Sequence, residues 1–252
     1  MRRGRAMLLG VEGASKKFGA VAAVSDVTFA IEPGELVALI GPNGAGKSTL
    51  FNLISGILKP DVGTIAFAGE PISSLPPHRI AHRGIGLAFQ VSNVFSRLSA
   101  LENIQVALFS ARGKSGSLWS FGPRTLRDEA REILAAIGLL ELAGISASAL
   151  AQADKKRLEV GIALAVRPRL LLLDEPTSGQ SMEETDSTMT LIRRINQEQA
   201  LTVLFIEHKM DVVFGIARRV LVLHNGRLIA DGEPRAVWAN EQVQKAYLGE
   251  TG

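Results

Sequence analysis

The chain has 252 residues, of which 46% are hydrophobic and 21% are charged, and its formal net charge is +3. This composition is that of a globular protein with one large domain or two small ones, and the small net charge without a basic stripe argues against a nucleic-acid-binding protein. The sequence has no cysteine, which excludes a disulfide framework and a cysteine-based metal site, and no stretch approaches the roughly 18 apolar residues of a membrane-spanning helix.

The first forty residues predict strands joined by turns. Residues 7–11 and 24–31 are largely apolar or β-branched, which favours strands. The basic N-terminus, residues 1–5, precedes an apolar segment too short for a secretory signal, so we interpret it as a frayed tail or as charges near an anionic surface. The Pro-Gly pair at 33–34 predicts a turn before the apolar strand at 36–40.

A phosphate-binding loop follows this strand. Residues 41–49 match the pattern G-x-x-x-x-G-K-S/T at every fixed position, and the segment after the loop has helical spacing of apolar residues. Glycines let backbone N–H groups turn inward around an anion, and the helix adds the positive end of its dipole. Lys47 can reach the outer phosphates, and the Ser48 hydroxyl can bind Mg²⁺. A chance glycine-rich turn is the alternative, but it does not explain the strand–loop–helix setting. The residues predicted to hold the nucleotide phosphates are Gly41, Pro42, Asn43, Gly44, Ala45, Gly46, Lys47, Ser48 and Thr49.

The middle of the chain changes character. A short strand at 64–67, a helix at 76–83 and a strand at 85–89 come first. From about residue 91 strand signals disappear, and residues 101–109 and 126–137 have helical periodicity. We therefore predict a helical subdomain, about residues 91–154, inserted into a sheet domain formed by 1–90 and 155–252.

A loop rich in Gly, Ser and basic residues lies inside this predicted subdomain, at 110–124. It contains Trp119 and Phe121, for which two interpretations stay open. They either pack locally and pin the loop, or they contact a membrane partner.

The last hundred residues alternate between strands and helices. Alternation of this kind predicts an α/β protein with a mostly parallel core sheet. The Asn225-Gly226 pair is a strong hairpin signal between two short strands. The predicted elements are helices at 155–166, 183–199 and 234–248, and strands at 170–173, 202–206, 220–223 and 228–230.

Polar residues follow three of the predicted strands. Asp174 and Glu175 end one strand, Gln90 ends a second and His208 a third. Because ligands of open α/β sheets bind outside the carboxyl ends of strands, we expect these side chains to share a crevice with the phosphate loop. Asp174 can hold Mg²⁺, Glu175 can polarise an attacking water, Gln90 can bind metal or water, and His208 can hydrogen-bond a γ-phosphate.

The order of these motifs resembles the nucleotide-binding subunit of ABC transporters over nearly the whole chain. The resemblance implies a P-loop NTPase fold with an antiparallel β subdomain, and ATP with Mg²⁺ as cofactors. It implies that Gln90 is a metal-contacting glutamine, Glu175 the catalytic carboxylate and His208 a switch histidine. Phe18 matches the aromatic residue that stacks on adenine; the family usually has Tyr, and Phe keeps the stacking face.

Finer features are similar to the branched-chain amino-acid importer subgroup, whose relatives carry other small polar solutes as well. The segments that carry this resemblance are LAFQ at 87–90, NVF at 93–95, LSALENI at 98–104, IEHKM at 206–210 and AYLGE at 246–250. The resemblance implies two permease subunits, a second ATPase subunit and a solute-binding protein as partners. It places the chain on the cytoplasmic face of the inner membrane, as a peripheral subunit.

The signature segment of the family departs from its usual form, Leu-Ser-Gly-Gly-Gln. Here it is Leu150, Ala151, Gln152, Ala153 and Asp154. Ala151 lacks the serine hydroxyl, Ala153 places a Cβ where glycine is usual, and Asp154 adds a negative charge. In the family this segment faces the partner's phosphate loop, so we expect the ATP site that it completes to be weaker.

Single motifs of this sequence also occur in other classes of protein, which are alternatives to be weighed. Soluble ABC-type ATPases of DNA repair or translation resemble tandem units or units with long coiled-coil insertions, and neither is present here. A P-loop kinase or GTPase would not explain Gln90, His208 and the signature-like segment together. A regulatory nucleotide-binding subunit with weak hydrolysis remains an alternative because of the altered signature segment.

Overall fold

The computed structural model describes residues 7–88, 94–112 and 123–248. Gln90, Trp119 and Phe121, about which the sequence makes predictions, lie outside these residues. The described strands are β1 (Leu9–Phe18), β2 (Val21–Ile31), β3 (Leu36–Ile40), β4 (Val62–Phe67), β5 (Glu70–Pro71), β6 (Ile85–Ala88), β7 (Leu170–Asp174), β8 (Thr202–Ile206), β9 (Arg219–His224) and β10 (Arg227–Gly232).

These strands form two sheets. The smaller sheet is antiparallel, with the order β2-β1-β4-β5. The larger sheet has six strands in the order β10-β9-β3-β8-β7-β6. All of its neighbouring pairs are parallel except the β9–β10 hairpin at its edge. The predicted α/β class with a mostly parallel core sheet is confirmed.

The helices pack against the larger sheet, and several of them lie in the chain segment that connects β6 to β7. They are α1 (Lys47–Ile54), α2 (Pro77–His82), α3 (Ala100–Ala111), α4 (Pro123–Ala136), α5 (Gln152–Leu164), α6 (Met182–Glu198), α7 (Met210–Ile216), α8 (Pro234–Trp238) and α9 (Glu241–Leu248). Two single-turn 3₁₀ helices, Leu140–Leu142 and Ala147–Ala149, lie before α5. The division of the chain into a sheet domain and a helical subdomain stays a prediction, and α5 runs across its boundary at residue 154 without a break.

Strand β3 shows how the core is built. All five of its residues are buried, as expected of an apolar central strand covered on both faces. Leu36, Ala38 and Ile40 pack into one apolar cluster, with helices α3 to α6. Val37 and Leu39 point to the opposite face and pack into a second cluster with β1, β2 and α1. The phosphate loop therefore leaves the sheet from a fully buried strand.

Local capping signals explain where several helices begin. Ser99 and Glu102 form a reciprocal capping box at the start of α3, and Ser181 and Glu184 form one at the start of α6. Helix α5 begins at Gln152 rather than at the predicted residue 155. The N-cap of α5 is Ala151, whose side chain makes no capping bond.

Two further differences from the sequence predictions concern the last hundred residues. Helix α7 follows β8 directly and was not predicted. The predicted helical tail is two short helices, α8 and α9, separated at residues 239–240. The predicted hairpin is confirmed, with Asn225 at φ 47° and Gly226 at φ 75° in its two-residue turn.

Candidate nucleotide-binding site

The carboxyl ends of three parallel strands bring the predicted site residues to one edge of the sheet. In the register of the sheet, Ile206 of β8 is paired with both Asp174 of β7 and Leu39 of β3. The phosphate loop leaves β3 one residue beyond Ile40, and His208 follows β8 after one residue. The topology therefore brings these segments to the same edge of the sheet, and the crevice that they are expected to share stays a prediction.

Lys47 lies within the phosphate loop. It is 6% exposed, and its Nζ donates hydrogen bonds to the carbonyls of Gly41 at 2.6 Å and Pro42 at 2.8 Å. The loop therefore curls around the lysine ammonium group. Helix α1, which starts at Lys47, has no side-chain cap and no acidic residue in its first turn. Its N–H groups and dipole can stabilise a phosphate there.

Two glycines of the loop are required by close packing as well as by conformation. Gly41 has φ 147°, and a Cβ at this position would lie 2.1 Å from the carbonyl oxygen of Leu223. Gly46 has φ 100°, and a Cβ there would lie 2.1 Å from the carbonyl oxygen of Ala23. Any side chain at either position would force the loop away from the strands behind it.

The β9–β10 turn supports the phosphate loop from behind, a contact that the sequence did not reveal. The N–H of Gly226 donates to the carbonyl of Ala45 at 3.0 Å. The carbonyl of Gly226 accepts from the N–H of Ser25 at 2.8 Å. The Asn-Gly signal predicts the turn but not its contacts with Ala45 and Ser25, which lie far from it in the chain. The turn thus connects the phosphate loop to both sheets.

Asp174 is a partly buried acidic residue at the end of β7. Burial raises its pKa above the ordinary value, and the neighbouring carboxylate of Glu175 raises it further. Lys156, His208 and Lys47 lie close enough to oppose this rise in the pKa. The Oδ1 atom of Asp174 is buried without a hydrogen-bond partner among the described residues. An ionised, buried carboxylate oxygen without a partner suits a metal cation.

Apart from Asp174, the described residues offer few candidate metal ligands. Ser48 is exposed beside the buried Lys47, so its hydroxyl is accessible. Within residues 7–88, 94–112 and 123–248 there is no group of three or more His, Cys, Asp or Glu side chains that could hold a metal. A Mg²⁺ ion here would take few oxygens from the protein and the others from phosphate and water, which is its usual behaviour in nucleotide sites. The residues present fit such an ion.

Glu175 and His208 are in direct contact. The Nε2 atom of His208 lies 2.9 Å from Oε1 of Glu175, and both side chains are partly exposed. Glu175 adopts φ 51°, an uncommon conformation for a residue other than glycine, and its N–H donates to the carbonyl of Ile206 at 3.1 Å. The two residues therefore form a pair at this edge of the sheet, next to Asp174 in the chain.

The other predicted residues occupy three different settings. Phe18 ends β1 with 49% of its surface exposed, and the ammonium group of Lys16 lies 5.9 Å from its ring centroid. Asn43 and Gly44 are exposed at the tip of the phosphate loop. Gln90 lies outside the described residues, so its predicted role stays a prediction.

The predicted signature segment forms the start of α5. Leu150 and Ala153 are buried, at 5% and 6% exposure. Asp154, in the first turn, forms an ion pair with Arg157 at 3.8 Å. No partner chain is needed for these contacts, because all of them are made within this chain. How the segment meets a second ATP site stays a prediction.

Among the described residues, no helix has the length and apolar character to cross a bilayer.

Residues 24–178 match the protein family described as ABC transporter, and residues 227–252 match the family described as branched-chain amino acid ATP-binding cassette transporter.

Relatives of known function extend this match to nearly the whole chain. The chain is 38% identical over 250 residues to the high-affinity branched-chain amino acid transport ATP-binding protein BraF of Pseudomonas aeruginosa, covering 96% of this chain and 98% of that protein. It is 39% identical over 251 residues to LivG of Escherichia coli, which has the same description, with the same coverage.

A solved structure supports the assignment at the level of the fold. The ADP conformation of an ATP-binding cassette from an ABC transporter superposes with a TM-score of 0.86 at 29% identity, covering 96% of this chain and 99% of that one. With the phosphate loop, the strand-end carboxylates and the Glu175–His208 pair in place, this chain belongs to the ATP-binding subunits of ABC transporters.

Proposed function

We propose that this chain binds ATP with Mg²⁺ at the edge of its larger sheet and hydrolyses it to drive import of branched-chain or related amino acids, or other small polar solutes. The import would take place through membrane permease subunits. The observation that carries the proposal is the 2.9 Å contact between Glu175 and His208 beside the partly buried Asp174, at the edge from which the phosphate loop departs.

Each residue of the site has a distinct role in this proposal. Lys47 and the backbone of residues 41–49 hold the phosphates, which can replace the two carbonyls that Lys47 now contacts. Glu175 polarises the attacking water, and His208 donates a hydrogen bond to the γ-phosphate from its position against Glu175. Phe18, a residue that is 49% exposed, offers an aromatic ring on which adenine can stack.

The metal-binding role is assigned to Asp174 and Ser48, with Gln90 as a third candidate from sequence alone. These residues would hold the ion, and Mg²⁺ would supply positive charge to offset the negative charge that develops during phosphoryl transfer. The partnerless Oδ1 of Asp174 is the observation that supports this assignment.

The nature of the cargo is supported by the relatives. BraF and LivG are both described as branched-chain amino acid transport proteins, and the match to the corresponding C-terminal family covers residues 227–252. The cargo would be selected by permease and solute-binding subunits, not by this chain. We propose that a second ATPase subunit, of a related sequence, completes the assembly on the cytoplasmic face of the inner membrane.

A groove between the sheet and the helices is a suitable place for a permease to dock. It has a volume of about 480 Å³ and is lined by α2, β6, α3 and α5, with largely apolar side chains. Ile57, 44% exposed, lies at its border. An apolar helix of a permease would bury this surface.

The catalytic assignment can be tested with Glu175→Gln. We expect ATP hydrolysis to fall by about 10²-fold or more, the effect typical of losing a catalytic group, while ATP binding is retained. Glu183→Gln is the matched control, because Glu183 is exposed in the first turn of α6. Wild-type hydrolysis by Glu175→Gln would contradict the proposed mechanism.

The docking groove can be tested with Ala107→Glu. Ala107 lines the groove on α3, and a charged side chain there would be buried by a docking helix at a cost. We expect the variant to lose co-purification with the permease subunits while keeping its fold. Ala135→Glu, on the exposed face of α4, is the control. Retention of the permeases by Ala107→Glu would rule out this groove as the docking site.

A regulatory subunit with weak hydrolysis is the second candidate function. It is favoured by Ala151 and Ala153 in the signature segment, which lack the usual hydroxyl and glycine. Purification of the complete transporter, with identification of its subunits and its ATPase rate per assembly, separates the two functions. A rate unaffected by Glu175→Gln in the assembly would favour the regulatory role.

A further inference from the structure

Two loops carry the residues assigned to hydrolysis. The first follows β7 and contains Glu175, and the second follows β8 and contains His208. The 2.9 Å contact between these two side chains is partly exposed to solvent, with side-chain exposures of 22% and 40%. A single contact of this kind contributes little on its own, because water competes for both groups. Buried contacts around the two loops are better placed to hold these side chains together.

The residue before His208 provides a buried connection between the loops. Oε1 of Glu207 accepts hydrogen bonds from the hydroxyl of Thr177 at 2.6 Å and from its N–H at 3.1 Å. Oε2 of Glu207 accepts from the N–H of His208 at 3.2 Å. Glu207 is 3% exposed and Thr177 is fully buried. The Glu207 carboxylate therefore binds both loops: it contacts Thr177, two residues after Glu175, and the backbone N–H of His208.

The residue after His208 provides a second connection on the solvent side. Nζ of Lys209 donates to the hydroxyl of Thr185 at 3.1 Å and lies 3.4 Å from the carbonyl oxygen of Gln180. The side chain of Gln180 is 8% exposed, and neither of its amide atoms has a partner among the described residues. The end of this loop is thus held through its backbone carbonyl rather than through the glutamine amide.

We propose that Glu207 and Lys209 are positioning residues of the ATPase reaction, which hold His208 against Glu175 by joining the two loops. We call Thr177, Gln180, Thr185, Glu207 and Lys209 the loop clasp. The proposal rests on the roles proposed above for Glu175 and His208.

The energetics favour this interpretation over a role in folding alone. Burying a carboxylate is costly, and in the part of the chain that the structure describes no basic side chain pairs with Glu207. An apolar residue could fill the same volume without that cost. What the carboxylate offers is three hydrogen bonds that all end on the two loops of the site, and hydrogen bonds to charged groups are the stronger kind.

The test uses the full chain assembled with its membrane partners and measures kcat and KM for ATP. Thr177→Val removes the hydroxyl with little change in volume, and Glu207→Gln keeps the shape but removes the charge. We expect each to lower kcat by about 10- to 100-fold, the scale of a small misplacement of catalytic groups. The KM should change by less than about two-fold, because ATP binding is untouched. Thr177→Ser, which keeps the donor, should restore kcat.

Matched controls separate positioning from general stability. Thr188→Val removes an equally buried hydroxyl, in α6, that has no partner among the described residues, and it should leave kcat unchanged. Lys209→Met should lower kcat by a smaller factor than Glu207→Gln because the lysine is exposed, and Lys209→Arg should restore it. Lys245→Met, on an exposed lysine of α9, is the control for the loss of a surface charge.

A double-mutant cycle gives the decisive result. In a His208→Ala background, Thr177→Val should lower the single-turnover rate by less than about two-fold, because the contact that the clasp maintains is already gone. The same factor in both backgrounds, or an unchanged kcat in Thr177→Val and Glu207→Gln, would overturn the proposal. The proposed mechanism and the proposed role of the loop clasp can be disproved separately. If Glu175→Gln hydrolyses ATP at the wild-type rate, the proposed mechanism is wrong. If Glu175→Gln is inactive while Thr177→Val keeps full activity, only the proposal of the loop clasp is wrong.

Discussion

The carboxyl group of Asp174, which we propose as a metal ligand, affects the stability of the folded chain through its pKa. Its pKa is raised by burial and by Glu175, so the folded chain binds a proton at Asp174 more tightly than the unfolded chain does. The stability that follows from this preference is fully present below the unfolded pKa and is lost as the pH rises through the folded pKa. At neutral pH the ionised carboxylate therefore destabilises the metal-free protein.

Asp174→Asn should consequently increase the free energy of unfolding at neutral pH, without Mg²⁺ and nucleotide. The difference from wild type should shrink as the pH falls through the raised pKa of Asp174, because the wild-type carboxyl then becomes protonated and neutral. Urea unfolding of both proteins between about pH 4 and pH 8 measures this. Asp128→Asn, on the exposed face of α4, is the control. A variant less stable than wild type at neutral pH would contradict the expected sign, and Mg²⁺-dependent hydrolysis should be lost in any case.

Helix α5 is the element whose start was predicted three residues too late. A capping residue is the usual sequence signal for a helix start. Ala151 at the N-cap has no side-chain oxygen that could accept a capping hydrogen bond, so the helix could not be recognised at residues 152–154. Helix α7 was missed for a related reason. Its N-cap is Lys209 without a capping bond, and its seven residues include Val212, Val213 and Gly215, which are weak helix formers.

Because α5 lacks a side-chain cap, we expect a capping residue at position 151 to increase the free energy of unfolding. Ala151→Ser places a hydroxyl where it can accept from the N–H of Asp154, and it should stabilise the folded state by about 1 kcal/mol. The midpoint of urea unfolding should rise with an unchanged m-value. Ala135→Ser, on the exposed face of α4, should give no such gain. An equal change in both variants would mean that the N-cap of α5 is already satisfied in another way.

At the scale of the whole molecule, the sequence predicts most of what is local or set by the topology of the sheet. Residues 41–49, Asp174, Glu175 and His208 could be placed together because parallel strands carry them to one edge. The contact between Gly226 and Ala45, and the link between Glu207 and Thr177, could not be predicted in this way. They join segments far apart in sequence through backbone atoms or single buried side chains, and no periodic pattern marks such pairs.

The last prediction concerns the assembled transporter, in which two ATP sites are expected from the family resemblance. One site would use Lys47 and Glu175 of this chain, and the other would be completed by Ala151 and Ala153 against a partner's phosphate loop. The second site lacks a hydroxyl donor, and a Cβ at Ala153 restricts the approach of the backbone to phosphate. We therefore expect the two sites to hydrolyse ATP at different rates, so that single-turnover hydrolysis has a fast and a slow phase.

Ala151→Ser combined with Ala153→Gly should accelerate the slow phase and raise the steady-state ATPase and transport rates of the assembly. A several-fold increase corresponds to about 1 kcal/mol, the worth of one hydrogen bond. Because Ala151→Ser is also expected to stabilise α5, rates are compared per folded complex. The paired change Ala135→Ser and Ala136→Gly in α4 controls for the added serine and glycine. If the two sites differ because of the signature segment, only the first pair will change the slow phase. Unchanged ATPase and transport rates would show that this segment does not limit either site.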